Sequence, residues 1–148
     1  MRYCISYGIL TACLWLSACA NPVNLATPPP SEPPAIACRA GESLQVYNRL
    51  YFGTRRPGGA VSNAEWEDFL REVITPRFPE GLTVLTGRGQ WQTTTGHIVR
   101  ERSYVLTVVY PERAEKETAV AEVIQAYKNQ FNQESVLRIR SQACVSFD

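Results

Sequence analysis

Between positions 44 and 52 the chain alternates, with Leu44, Val46, Leu50 and Phe52 on one side and Gln45, Tyr47, Arg49 and Tyr51 on the other. That period predicts a half-buried strand. After a loop over 53–61, Ser62-Asn63-Ala64-Glu65 has the spacing of a capping box, and Trp66, Phe69, Leu70 and Val73 follow on one helical face until Pro76 closes the helix. Two β-rich runs, 82–93 and 98–110, are separated by Thr94-Thr95-Gly96-His97, so they read as a hairpin. In the second run Leu106 and Val108 share parity with Arg100 and Arg102. Either a bulge near Ser103 or a strand overhanging the core accounts for that. A second helix is predicted over 113–131, with Val120, Val123, Ile124, Tyr127 and Phe131 on one stripe, Glu115 and Glu117 early and Lys128 late. The alternation of 135–140 predicts a last strand with Leu137 and Ile139 inward and Arg138 and Arg140 outward.

Strand, helix, strand, strand, helix, strand is the order of the split βαβ plan. The expected fold is therefore α+β: a ferredoxin-like sandwich whose four-stranded antiparallel sheet carries two helices on one face. Composition narrows the picture further. With 148 residues, 15 Lys+Arg and 14 Asp+Glu, the chain holds one ordinary domain, too neutral for a nucleic-acid binder that works through bulk charge. A mean hydropathy of -0.19 excludes a multi-span membrane protein.

Residues 1–18 carry Arg2 and then an apolar run over 5–16, the pattern of a signal peptide and too short for a spanning helix. The run ends in Leu16-Ser17-Ala18-Cys19, which resembles a bacterial lipobox. The resemblance implies that Cys19 is lipidated and becomes the first residue of a mature lipoprotein, and Ala20 after it leans towards the outer membrane, facing the periplasm. A signal cut after Ala18 or Ala20 that leaves Cys19 free is the alternative. Residues 19–37 hold six of the ten prolines and no aromatic residue, and the eighteen after Cys19 read as a polyproline-type tether of up to ~56 Å at ~3.1 Å per residue. Residues 38–148 form the folded domain. Loss of the signal removes Arg2 alone among the charges and leaves no net formal charge.

Cys4 and Cys13 leave with that signal and Cys19 takes the lipid, so Cys38 and Cys144 remain. In an oxidising compartment a disulfide is the default and a free thiol the exception. The expected topology supports the pairing independently, because the first and last strands of the sandwich lie side by side and antiparallel. With His97 the single histidine, no metal centre is expected, and no cofactor either.

Leu50-Tyr51-Phe52-Gly53, Glu65-Trp66 with Phe69-Leu70, Thr75-Pro76-Arg77-Phe78-Pro79, Gly89-Gln90-Trp91, Arg100-Glu101 with Ser103, and Gln133-Glu134-Ser135-Val136-Leu137 together resemble a domain-of-unknown-function family of small bacterial lipoproteins, family 3574. The resemblance covers nearly all of the folded part and implies no activity.

Candidate chemistry is sparse. His97, Glu101 and Ser103 are spread along one extended run, with ~13 Å between the backbone positions of the first two, too far for a hydrogen-bonded triad. Arg55 and Arg56 precede the first helix and could attract an anion, while Arg88 and Trp91 among Gly87 and Gly89 could shape a small pocket. Tyr47, Arg49, Tyr51, Arg138 and Arg140 are expected to cluster on the sheet face away from the helices. For an exported, neutral chain that face suits a homodimer packed sheet to sheet, an envelope protein partner, or plain solvation, and not nucleic acid. The leading expectation is an envelope lipoprotein whose domain binds or self-associates without catalysis. The alternative is a small-molecule or anion-binding domain, or an enzyme, with its site near Arg55, Arg56, Arg88 and Trp91.

Overall fold

The structure, a computed structural model, describes residues 36–147. The signal peptide, Cys19 and all but the last two tether positions lie outside the described residues. In chain order the elements are β1 (Ser43–Gly53), a two-residue ribbon β2 (Arg55–Arg56) and β3 (Gly59–Ala60), α1 (Asn63–Phe69), β4 (Thr83–Gln92), β5 (Ile98–Tyr110), α2 (Ala114–Phe131) and β6 (Leu137–Val145). The main sheet runs β4-β5-β1-β6 with all three pairings antiparallel. This is the ferredoxin-like α+β sandwich that the element order implied.

Even positions of β1 and β5 supply the sheet's half of the core: Val46, Leu50 and Phe52, then Tyr104, Leu106, Val108 and Tyr110. Trp66 and Phe69 of α1 and Val120, Val123, Tyr127 and Phe131 of α2 close over them. α1 begins where its capping box predicts. Ser62 Oγ accepts from the Glu65 N–H at 3.2 Å, and the Glu65 carboxylate accepts from the Ser62 N–H at 2.9 Å. After Phe69 the helix widens into a π turn over Leu70–Ile74, which brings Ile74 into the core, and then tightens into a 3-10 turn at Thr75–Arg77 around Pro76. At the far end of α2, Asn132 takes the left-handed conformation at φ 51° and stops the helix.

The cap also sets an acid response. Bonding to the Ser62 backbone, and then to Arg56 at 2.7 Å, pulls the Glu65 carboxyl down to about 2 from an ordinary 4.5. A depressed folded-state value gives stability that is present above the unfolded value and is lost as pH falls through the folded one. The urea midpoint of Glu65→Ala is therefore expected to lie below that of the wild type at pH 6, and the gap to close between pH 4.5 and pH 2. A gap that is constant across that window would show that the carboxylate's charge contributes nothing.

β5 runs in uninterrupted register against both neighbours, so there is no bulge at Ser103. Its pairing with β1 stops at Ser103 opposite Gly53, while its pairing with β4 continues to Ile98 opposite Gln92. The hairpin thus overhangs the core, and Arg100 and Arg102 sit on the overhang. At its tip the His97 carbonyl accepts from the Thr93 N–H at 2.9 Å, and Gly96 supplies the positive φ of 85° that the turn requires.

The facing of β6 is opposite to the expectation. β6 pairs with β1 so that Leu50 faces Arg138, Asn48 faces Arg140, Tyr51 faces Leu137 and Arg49 faces Ile139. Arg138 and Arg140 therefore share the helix side with Leu50, and Leu137 and Ile139 point away from it. The reason is local chemistry at the sheet edge. Asn48 is fully buried, donating to the Tyr110 hydroxyl at 2.6 Å and accepting from Arg138 Nε at 2.6 Å. Arg138 also donates to Glu117 of α2 at 2.7 Å, and Arg140 reaches Glu117 and Glu112. Burial alone would raise the Glu117 carboxyl, but bonds from Arg138, Arg140 and Tyr110 outweigh it and hold the group below the usual carboxylate value. The Tyr110 hydroxyl is pushed up to about 12 by burial and by the same carboxylate. The charged heads of both arginines thus meet Glu117 of the helix.

Cys38 and Cys144 are bonded, with Cα atoms 5.4 Å apart. The bridge ties the segment before β1 to the end of β6, as the neighbouring first and last strands require. A Glu42 carboxylate oxygen lies within 4.8 Å of both sulfurs, but the bridge takes up the two thiolates that a metal centre there would use.

Candidate functional site

Two surfaces stand out, one on each side of the sheet. On the side away from the helices the outward residues form rows across the strands. One row is Leu85, Val105, Tyr51 and Leu137; the next is Thr83, Thr107, Arg49 and Ile139. Leu85, Leu137 and Ile139 are 60%, 59% and 45% exposed. Among the described strand residues on this side, Arg49 and Glu101 are the charged ones. Phe147 and Trp91 add exposed aromatic area towards opposite ends. A recess of about 440 Å³ lies beside Phe147 and reaches Thr83, Thr107 and Val109.

Arg49 lies 5.4 Å from the centre of the Tyr47 ring, and interactions with Tyr51 and then Tyr47 hold its guanidinium above the ordinary arginine value. Its Nε is buried with no hydrogen-bond partner among the described residues. Such a group is uncommon, since buried polar atoms are ordinarily satisfied. Further along, Gly53, Ser103 and Gly87 form a third row, and Gly89 stands opposite Glu101. A Cβ at Gly53 would sit 2.9 Å from the Glu101 carboxylate, so glycine is what admits that side chain here. Glu101 in turn accepts from Trp91 Nε1 at 3.2 Å and from the Arg55 N–H at 2.8 Å.

The second surface is the underside of the overhang. Strand alternation puts Thr86, Arg88 and Gln90 of β4 and Arg100 and Arg102 of β5 on this side. With Gly87, Gly89 and Glu101 they line an open groove of about 780 Å³, with Arg88 directly across from Arg102 and Gln90 across from Arg100.

Sequence reasoning placed Tyr47, Arg49 and Tyr51 together correctly but assigned Arg138 and Arg140 to the same face, where Leu137 and Ile139 stand instead. The set Arg55, Arg56, Arg88 and Trp91 does not form one site. Arg88 and Trp91 are three residues apart in a strand and project to opposite sides. Arg56 pairs with Glu65 at 2.7 Å and lies 5.8 Å from the Phe131 ring centre, a structural role. Glu101, Arg100 and Arg102 were not singled out as binding residues, although alternation along β5 puts Arg100 and Arg102 on Arg88's side.

The family model described as "Protein of unknown function (DUF3574)" matches residues 47–147, which takes in the sheet, both helices and both surfaces. The chain belongs to the DUF3574 family. The DUF3574 domain thus carries the motifs from Leu50 to Leu137 within a family whose description names no activity. No curated protein matches the sequence. Among solved structures, a phage SAM lyase in complex with S-methyl-5'-thioadenosine superposes with a TM-score of 0.51 at 17% identity, covering 76% of this chain and 95% of that one. The same lyase in its apo state gives 0.51 at 15% identity, over 77% and 98% of the two chains. CutA from Synechococcus elongatus gives 0.38 at 9% identity, over 72% and 77%. At such identities the lyase superpositions speak to the fold and to nothing else.

Proposed function

We propose that this chain is a non-enzymatic binding domain, anchored in a bacterial envelope by lipid on Cys19, that self-associates through the uncovered face of its sheet. The observation that carries the reading is the scarcity of charge on that face together with its exposed Leu85, Leu137 and Ile139. Interface centres are depleted in charge and enriched in aromatic and aliphatic side chains. Four strands at ~4.8 Å and nine paired residues at ~3.3 Å give a face of roughly 19 by 30 Å, near the ~800 Å² per partner of an ordinary stable interface once side-chain relief is counted. A second copy suits it best. The face carries one base, Arg49, and one acid, Glu101, well separated along the strands, so a two-fold axis between them can set each against its opposite on the partner. Supporting the envelope location are the apolar leader ending at Cys19 and the Cys38–Cys144 bridge, which suits an oxidising compartment.

A photo-crosslinking residue at Leu85 or Leu137, introduced into the full chain in intact cells, is expected to give a homodimer band. The same residue at Glu115 on α2 is expected to give none. Leu85→Glu with Leu137→Glu should abolish the band while leaving the thermal midpoint within a few degrees. Crosslinks to a different envelope protein would replace self-association by a heterologous partner, and no crosslink at either position would end the docking reading. Mass spectrometry of the mature amino terminus checks the anchor separately, the expected species being an acylated Cys19.

A further inference from the structure

We propose that the groove beneath the overhanging β4–β5 hairpin binds a phosphate-bearing anion through Arg88, Arg100 and Arg102. This site is independent of the sheet-face docking, since it lies on the other side of the hairpin.

The selecting observation is three arginines gathered at one opening without an ion-pair partner. Five other arginines, Arg56, Arg71, Arg77, Arg138 and Arg140, each sit within 3.0 Å of a carboxylate, while Arg39, Arg49, Arg55 and Arg113, which have no such partner among the described residues, do not line the groove. Among the described residues no carboxylate lies within ion-pair distance of Arg88, Arg100 or Arg102, although Arg88 and Arg102 are direct cross-strand neighbours. Like charges opposite each other on one sheet face repel and destabilise the pairing. The nearest acid in sequence, Glu101, alternates to the other side and is held there by Trp91 and the Arg55 N–H. The three arginines thus line one opening, which Glu101 also borders while its carboxylate is engaged by Trp91 and the Arg55 N–H.

Arg102 is also positioned. Its Nη2 donates to the Val61 carbonyl at 3.4 Å, and its guanidinium lies 5.5 Å from the centre of the Tyr104 ring, which is itself stacked on Trp66 in the core. The groove of about 780 Å³ has room for a group larger than a single ion. Planar guanidinium forks match phosphate oxygens two at a time, and several of them around one opening suit a multiply charged phosphate better than a lone carboxylate. Thr86 and Gln90 line the same opening and add neutral hydrogen-bonding groups.

The test is a titration of the full chain with sodium pyrophosphate at fixed ionic strength, followed by calorimetry. Saturable binding is expected, and Arg88→Ala or Arg100→Ala should each weaken it about tenfold or more, in line with loss of a charge-assisted bond. Arg39→Ala, which removes the same charge outside the groove, should leave it unchanged. Without pyrophosphate, Arg88→Ala should melt at or above the wild-type temperature, because a repulsive neighbour is gone. Competition by water-soluble short-chain phosphatidylglycerol would assign the site to a lipid headgroup, and its absence to a free phosphate. Non-saturable uptake, equal weakening by Arg39→Ala, or a lower melting temperature for Arg88→Ala in the absence of anion would overturn the proposal.

Discussion

Replacing Cys38 and Cys144 together by alanine is expected to lower the unfolding free energy by about 4.7 kcal/mol, the chain-entropy value for a loop of about 100 residues. The two cysteines are 106 positions apart, so the bridge closes almost the whole domain. For a domain of this size the loss corresponds to a fall of about 15–20 °C in melting temperature. The damage should be local before it is global. β6 is an edge strand that pairs with β1 alone, and the bridge fastens it next to the Leu44–Cys144 pair. Amide exchange at Ala143 and Val145 should therefore accelerate in the variant well before exchange at Leu50 or Leu106. Guanidinium unfolding with and without reductant checks the size of the effect. A change under about 1 kcal/mol would mean that the unfolded chain is already held compact without the bridge. Material made under reducing conditions should reproduce the alanine variant's midpoint.

The fate of β6 shows where a sequence pattern stops being informative. Leu137-Arg138-Ile139-Arg140 alternates equally well in either facing, and the usual preference for apolar side chains inward picks the wrong one. What decides the matter is a polar residue in another strand. Asn48 stands between Val46 and Leu50 on the buried face of β1, and a fully buried amide needs partners. Arg138 provides one of them, and Glu117 on α2 then compensates the guanidinium. That signal was present in the sequence as a polar interruption of an otherwise apolar face. The register that joins it to Arg138 was not, because it depends on how β6 slides against β1. With the arginines turned inward and Leu137 and Ile139 outward, the open face is more apolar than the sequence suggested.

Elements specified by local chemistry were legible. The Ser62–Glu65 box, the Gly96 turn and the βαββαβ order each rest on contacts within a few residues or on a strict period, and each stands as read. The overhang of β5 was also legible as one of two choices, since arginines sharing parity with core leucine and valine require the strand either to bulge or to leave the core. The grouping of Arg88 with Trp91 failed for a simpler reason. Positions three apart in a strand cannot share a face, so the two residues belong to the separate surfaces that the hairpin presents above and below.

Trp66→Ala is expected to cost about 3–5 kcal/mol, the range for truncating a buried aromatic side chain in a core that cannot fully collapse. Trp66 is fully buried and stacks on Tyr104 with ring centres 4.2 Å apart and planes 5° from parallel. It also meets Phe52 at 5.3 Å, Phe69 at 6.1 Å and Tyr127 at 6.1 Å. One ring thereby joins α1, the two central strands and α2. Its removal would open a space beneath Tyr104, whose hydroxyl donates to Asn63 at 2.8 Å, and would loosen the Tyr127 hydroxyl that donates to the Gly53 carbonyl at 2.8 Å. Both bonds border the end of β1 where the hairpin begins to overhang. Trp66→Phe keeps an aromatic face against Tyr104 and should cost less than half as much, measured by urea unfolding of the two variants in parallel. Arg102 stands over the same Tyr104 ring, so Trp66→Phe should also weaken pyrophosphate binding by a few-fold while leaving the Leu85 and Leu137 crosslinks intact. If both variants proved equally mild, the core beneath the hairpin would not be what positions Arg102, and the groove would owe its geometry to the strands alone.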